Sequence, residues 1–223
     1  MPNLLTNLKI TINEKLYVKD PETSELGRNI IKNSILLIDE IGFEAFTFKK
    51  LGEKIQSNES SIYRYFENKH KLLLYLSSWY WSWIEYNLVF ATHNISDPVE
   101  KLTIGIKIIT QNIVDDISTP HIDESVLNRI IISDFSKTLL TKDVDEENKE
   151  GFFAVYKRLI NRLIDMITLV NPTYPYAKSL ASSVVQGSLH QHYLKDHFTT
   201  ITNLSDQDCL SDFYIHMIKK TLL

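Results

Sequence analysis

Apolar residues recur along most of this chain at spacings of three and four, the period of an amphipathic helix. They seldom alternate in the two-residue fashion of a strand. Ile30, Ile31, Leu37, Ile38 and Ile41, with Ser34 among them, define the first stripe. Upstream, Asp20-Pro21 supplies an N-cap followed by proline at the first helical position. Gly42 stands directly after the stripe, where a left-handed C-cap residue belongs, and Phe43 supplies the hydrophobic contact beyond it. Two short helices are expected next. One runs from Thr47 to Lys54 or Ile55, with Leu51 and Ile55 inward; the other runs from an Asn58 cap to about Phe66, with Ile62, Tyr65 and Phe66 inward. The polar pair Gln56-Ser57 makes the turn between them.

A long helix is predicted from Asn68 or Lys69 to about Ala91, carrying Leu72, Tyr75, Leu76, Trp79, Trp83, Tyr86 and Phe90. After the break at Asn94–Pro98, Val99, Leu102, Ile106, Ile109, Ile113 and Ile117 mark another. Val126, Ile130, Ile131 and Phe135 predict a further helix, followed by a charged loop, Lys142–Glu150. Three more helices are expected at Phe152–Val170, at about Tyr176–Phe198 and at about Asp206–Leu222. The whole reads as an all-α chain of about nine helices, roughly three in a small N-terminal unit and six in a larger one. The last two of the first three are short and joined by a tight turn, the outline of a helix-turn-helix at about Thr47–Phe66. This divides the chain into an N-terminal arm at 1–20, a small domain at 21–68 and a large one at 69–223.

Composition narrows the class. The 223 residues are 43% hydrophobic, enough for a sizeable core, and only six glycines and six prolines interrupt them. No apolar run reaches about 18 residues, so no bilayer-spanning helix is expected. Residues 1–11 lack the sections of a secretory signal, and the single cysteine, Cys209, has no internal partner for a disulfide; both suit a reducing cytoplasm. The net charge of −4 argues at first against a polyanionic partner, but its distribution matters more. From Thr47 to Lys71 six cations (Lys49, Lys50, Lys54, Arg64, Lys69, Lys71) face three acids (Glu53, Glu59, Glu67). A locally basic segment on an otherwise acidic chain is compatible with site-specific DNA binding.

Two stretches, Ile41-Gly42-Phe43-Glu44-Ala45-Phe46-Thr47-Phe48-Lys49-Lys50-Leu51-Gly52 and Ser60-Ser61-Ile62-Tyr63-Arg64-Tyr65-Phe66-Glu67-Asn68-Lys69-His70-Lys71-Leu72, closely resemble the DNA-binding head of the TetR family. The resemblance implies a homodimeric regulator, commonly a repressor, that reads a roughly palindromic double-stranded operator and releases it when a small molecule binds the helical body. It implies phosphate contacts from Thr47, Tyr63 and Lys69. The physical reading agrees for the recognition helix, whose outer face must be slim and polar: Asn58, Glu59, Ser60, Ser61 and Arg64 provide such a face, and Lys49 adds a cation nearby. Two positions depart from the family pattern. Gln56-Ser57 replaces a glycine and an apolar residue in the turn, and Glu59 puts a carboxylate where a basic or neutral residue is frequent. A rival reading keeps the fold as a helical protein-interaction module that has lost DNA binding. The arm at 1–20 is expected to order on DNA or on a neighbouring helix.

In the body, the aromatic stripe Tyr75, Trp79, Trp83, Tyr86 and Phe90 is a candidate effector wall, although such a stripe is also ordinary core. A dimer through the last two helices is expected, using the small residues Ala181, Val184, Val185 and Ser188 and the apolar strip Leu210, Phe213 and Met217. His190 and His192 lie two apart, on different helix faces, so no metal site is expected. Glu67-x-x-His70 is half of a di-iron motif, yet no glutamate follows Glu150. With no nucleophile elbow and no phosphate-cradling glycine loop, no catalytic residue and no cofactor are expected.

Overall fold

The computed structural model describes residues 10–113, 119–204 and 209–223, with the side chain of Cys209 excepted. These residues are all-α: eleven helices and three short 3-10 turns, with no strand among them. They group into two compact units, Met1–Tyr80 with Ile113–Phe153 and Trp81–Asn112 with Ala154–Leu223. The division therefore does not follow one cut at 68/69. It falls inside the long helix α4, Lys69–Thr92, which contributes to both units.

Unit 1 opens with an ordered arm. Asp20 does cap, but what it caps is a 3-10 turn, Pro21–Thr23, with its carboxylate accepting from the Glu22 amide at 2.9 Å. Ser24 then starts α1, Glu25–Ala45, by accepting from the Gly27 amide at 3.1 Å. The turn folds back so tightly on α1 that a Cβ at Gly27 would lie 2.2 Å from the Pro21 carbonyl. Ile30, Ile31, Ser34, Ile35 and Ile38 form the buried stripe, and Gly42 breaks the helix with φ 76° where a positive φ was expected. Helices α2, Phe48–Lys54, and α3, Glu59–Tyr63, follow; α3 ends one turn earlier than the apolar pattern suggests.

The rest of unit 1 is α6, Glu124–Asp134, with two short helices, α7 at Ser136–Leu139 and α8 at Val144–Lys149. The charged stretch expected as a loop thus contains α8. Three acids in its first turn (Asp145, Glu146, Glu147) suit a helix N-terminus. Helix α6 packs on α1, and Arg129 grips Asp39 with two bonds of 2.9 and 2.7 Å. Lys137 pairs with Glu44 at 2.8 Å, His121 with Glu22 at 2.9 Å and His70 with Glu147 at 2.8 Å. The Tyr80 hydroxyl donates to Asn128 at 2.7 Å.

Unit 2 comprises the end of α4 with α5 (Pro98–Thr110), α9 (Ala154–Val170), α10 (Ala177–His197) and α11 (Cys209–Leu222). Helix α5 stops at Thr110, short of the expected stripe end; Ile117, like residues 1–9 and Asp206, lies outside the described residues. Its core is built from Leu88, Leu102, Ile106, Leu159, Leu163, Ile167, Ala181, Val184 and Val185. Glu85, 8% exposed, is held by the Arg158 guanidinium and by Arg162 Nε at 2.6 Å. Burial pushes its carboxyl up, but the hydrogen bonds from the two arginines outweigh this and hold it below its usual range.

Candidate nucleic-acid interface

The helix-turn-helix is set by local chemistry. Thr47 Oγ1 accepts from the Lys50 amide at 3.2 Å and so starts α2, keeping one hydroxyl proton free for another acceptor. Leu51 and Gly52 are buried against the following turn, where a Cβ on Gly52 would sit 2.7 Å from the Ser57 carbonyl. That close approach explains the small residue after Leu51. Gln56 occupies the turn with φ 54°, a left-handed conformation that glycine adopts without strain. The departure from glycine noted in the sequence therefore leaves the turn's backbone in the shape a glycine would give. Ile62 and Phe66 are fully buried and anchor α3 from beneath.

On the outer side, Ser60 and Arg64 are exposed, Glu59 and Ser61 half-buried, and Asn58 is an exposed cap whose side chain makes no cap bond. Tyr63 is 49% exposed, and its ring is braced edge-on by Phe48 at 5.0 Å. The basic segment sorts itself sharply. Lys50 donates to the Ala45 carbonyl at 2.9 Å, Lys54 pairs with Glu40 at 2.8 Å, and Lys71 lies 3.8 Å over the Phe152 ring. Lys49 and Arg64 make no hydrogen bond or ion pair among the described residues.

Lys69, expected to meet a phosphate, is engaged within the fold. Its ammonium donates to the carbonyls of Phe43, Glu44 and Phe46 at 3.0, 3.1 and 3.3 Å and lies 4.8 Å over the Phe43 ring. The Gly42 turn leaves these carbonyls without helical partners, and three bonds use all three ammonium protons. In this structure Lys69 is a tie for the end of α1.

The arm orders on its neighbours rather than standing free: the Val18 amide donates to the Tyr65 carbonyl at 2.8 Å, Leu16 is 1% exposed, and Asn13 donates to the Glu150 carbonyl at 2.9 Å. Lys15 also pairs with Glu150. The two attachments to Glu150 join residues more than a hundred positions apart, and the Val18–Tyr65 bond is also far from local, so no local pattern announces them.

The structure distributes the residues of the other expected sites between core and surface. Tyr75, Trp79 and Trp83 are core residues; the Tyr75 hydroxyl donates to Glu22 at 3.4 Å, and its ring meets Tyr17 and Phe66 edge-on. Tyr86 stacks on Phe90, which is 71% exposed. A cavity opens on α4 within unit 2 further along, at Leu88, Thr92 and His93. Ala181, Val184, Val185, Ser188 and Leu210 are all buried within unit 2, so they form its core and offer no surface to a partner. Phe213, 46% exposed, and half-buried Met217 remain on the outside. His192 Nε2 meets the Thr110 carbonyl at 3.1 Å, whereas His190 and His197 are exposed.

Residues 30–76 match the bacterial regulatory proteins, tetR family. The fold is similar to that of AibR in complex with isovaleryl coenzyme A and operator DNA, with a TM-score of 0.57 at 17% identity, covering 85% of this chain and 97% of that one. It is also similar to a bacterial regulatory protein in the tetR family from Rhodococcus RHA1, with a TM-score of 0.62 at 13% identity, covering 89% and 97%. No relative among curated protein sequences matches the chain.

Proposed function

We propose that this chain, whose residues 30–76 carry the DNA-binding head of the TetR family, is a homodimeric transcriptional regulator that binds an operator and releases it on binding a small molecule. The observation that carries the reading is the coincidence of the family match with an exposed polar edge: Lys49, Ser60 and Arg64, whose side chains make no hydrogen bond or ion pair among the described residues, together with the exposed Tyr63 and the free hydroxyl proton of Thr47. Arg64 and the serines face base edges, while Thr47, Lys49 and Tyr63 hold phosphates. Phosphate contacts set register and salt dependence, and base contacts set sequence.

The dimer forms through the outer stripes of the last two helices, Ser179, Ser183, Gln186 and His190 on α10 with Phe213, His216 and Met217 on α11. The serines permit close helix approach, and Phe213 and Met217 supply apolar contact. The protein acts as a non-enzymatic regulator in the cytoplasm, where its DNA lies. Among the described residues no helix is long and apolar enough to cross a membrane. Effector binding works by differential affinity: a ligand that prefers the DNA-released state shifts the population in proportion to that preference. The segment 119–153 is well placed to move with the head, because Arg129–Asp39, Lys137–Glu44 and His121–Glu22 fasten it to α1 and the turn before it.

The decisive experiment is selection of bound sites from a random duplex library, followed by titration of the selected duplex. A true reader enriches a near-palindromic sequence and binds it in a salt-sensitive way. Failure to enrich any sequence, together with no low-salt binding to random duplex, would instead support the protein-interaction module that the acidic total charge and Glu59 suggest.

A further inference from the structure

The cavity at the end of α4 combines an apolar floor with charged groups at its wall. It measures about 270 Å³, lies wholly in unit 2 and is walled by the end of α4, the start of α5 and the end of α9. Leu88, Val89, Met166 and Leu169 give it an apolar surface. Room for Met166 comes from Gly105, where a Cβ would lie 2.9 Å from the methionine sulfur. The polar lining is Thr92, His93, Lys101, Arg162 and Asp165, two cations against one carboxylate. Lys101 is half-buried at the wall and makes no hydrogen bond or ion pair among the described residues. Arg162 spends its Nε on Glu85 at 2.6 Å, which fixes the guanidinium plane and leaves its Nη donors for another acceptor. Thr92 donates its hydroxyl proton to the Leu88 carbonyl at 2.7 Å and keeps its acceptor lone pairs.

Charge bookkeeping singles out one ligand valence. Glu85 and Asp165 stand against Arg158, Arg162 and Lys101, so this cluster carries one uncompensated positive charge. A neutral ligand would leave the half-buried Lys101 ammonium unpaired, which is costly. A dianionic phosphate would overshoot the single charge and would meet an apolar floor. A monoanion with an apolar tail satisfies both halves of the site. The volume holds about nine water-sized units, which corresponds to roughly eight or nine heavy atoms.

We propose that this cavity binds small aliphatic monocarboxylates of about hexanoate size, with the carboxylate between Lys101 Nζ and the outer edge of Arg162 and the tail against Leu88 and Met166. The site deepens the effector reading above, but binding itself does not depend on the head.

Ligand-observed NMR on the full chain with sodium hexanoate tests it, with hexan-1-ol as the neutral isostere. Hexanoate binds, hexan-1-ol binds at least about tenfold more weakly, Lys101→Gln weakens hexanoate by a similar factor and Lys101→Arg restores it. Because Lys101 makes no hydrogen bond or ion pair among the described residues, Lys101→Gln keeps the wild-type melting temperature, so its loss of binding is not a loss of folding. Equal binding of the alcohol and the acid, unchanged affinity in Lys101→Gln, or no binding at millimolar hexanoate overturns the proposal. A duplex titration on the same sample separates it from the reading it builds on. Hexanoate binding without any DNA binding upholds the site and defeats the regulator; DNA binding without hexanoate binding does the reverse.

Discussion

Replacing Lys69 by methionine keeps the aliphatic stem and removes only the ammonium. The structure sets that ammonium against three carbonyls at the end of α1, within 3.3 Å of each, in a half-buried position. A hydrogen bond involving a charged group contributes about 1.5–3 kcal/mol, and the cation over the Phe43 ring adds about 0.5–1 kcal/mol. The three bonds share one charge, and water recovers part of the loss at exposed Glu44, so the sum is nearer to one strong bond than to three. Lys69→Met should therefore cost about 2–3 kcal/mol, seen as a lower urea midpoint with an unchanged m-value. At about 2–4 °C per kcal/mol for a chain of this size, the melting temperature falls by roughly 4–12 °C. The salt dependence of DNA binding, measured below the melting transition, should keep its slope, because an ammonium already bonded to carbonyls releases no counterion. A phosphate contact in each protomer would instead lower the dimer's slope by about two. A slope reduced by that amount with the melting temperature intact would refute the assignment of Lys69 to α1.

Arg64→Ala should weaken binding to a selected operator by about 1–3 kcal/mol more than to random duplex, whereas Tyr63→Phe should weaken both alike with almost no change in salt slope; competition titrations at two salt concentrations read both. Gln56→Gly relieves a left-handed residue at the cost of a more flexible unfolded chain, for a net gain of about 0.5–1 kcal/mol in denaturant melts. Burial holds the His192 imidazole below its ordinary value of 6.5, against the opposing pull of the Thr110 carbonyl. Below that pH the unfolded chain takes up a proton the folded chain resists, so stability falls as pH drops, by up to about 1.4 kcal/mol per pH unit. His192→Gln should flatten that slope, and an unchanged slope would reassign it to other groups. Phe213→Asp with Met217→Asp should give monomers in sedimentation; a surviving dimer places the interface elsewhere.

The features legible in the sequence share one physical origin, namely that their causes lie within a few residues. Helix spans follow from the apolar period, Thr47 caps because its hydroxyl reaches an amide three residues on, and Gly42 takes a positive φ because the chain must turn at that point. The head was readable for the same reason, since its residues sit in one stretch of fixed order. What tertiary structure alone decided is which partner each face and each charge takes. A stripe such as Ala181, Val184, Val185 and Ser188 announces that it is covered, but period alone does not distinguish cover by its own unit from cover by a second chain; here α5 and α9 of the same unit bury it. Trp79 and Trp83 present the same ambiguity between core and cavity wall, and the tertiary structure buries both. Lys69 stands 23 to 26 positions from its three carbonyls, and Glu85 stands 73 and 77 from its two arginines. Such pairings depend on how helices far apart in sequence are laid together, because a charge is fixed by its nearest neighbour in space, whatever the number of residues between them.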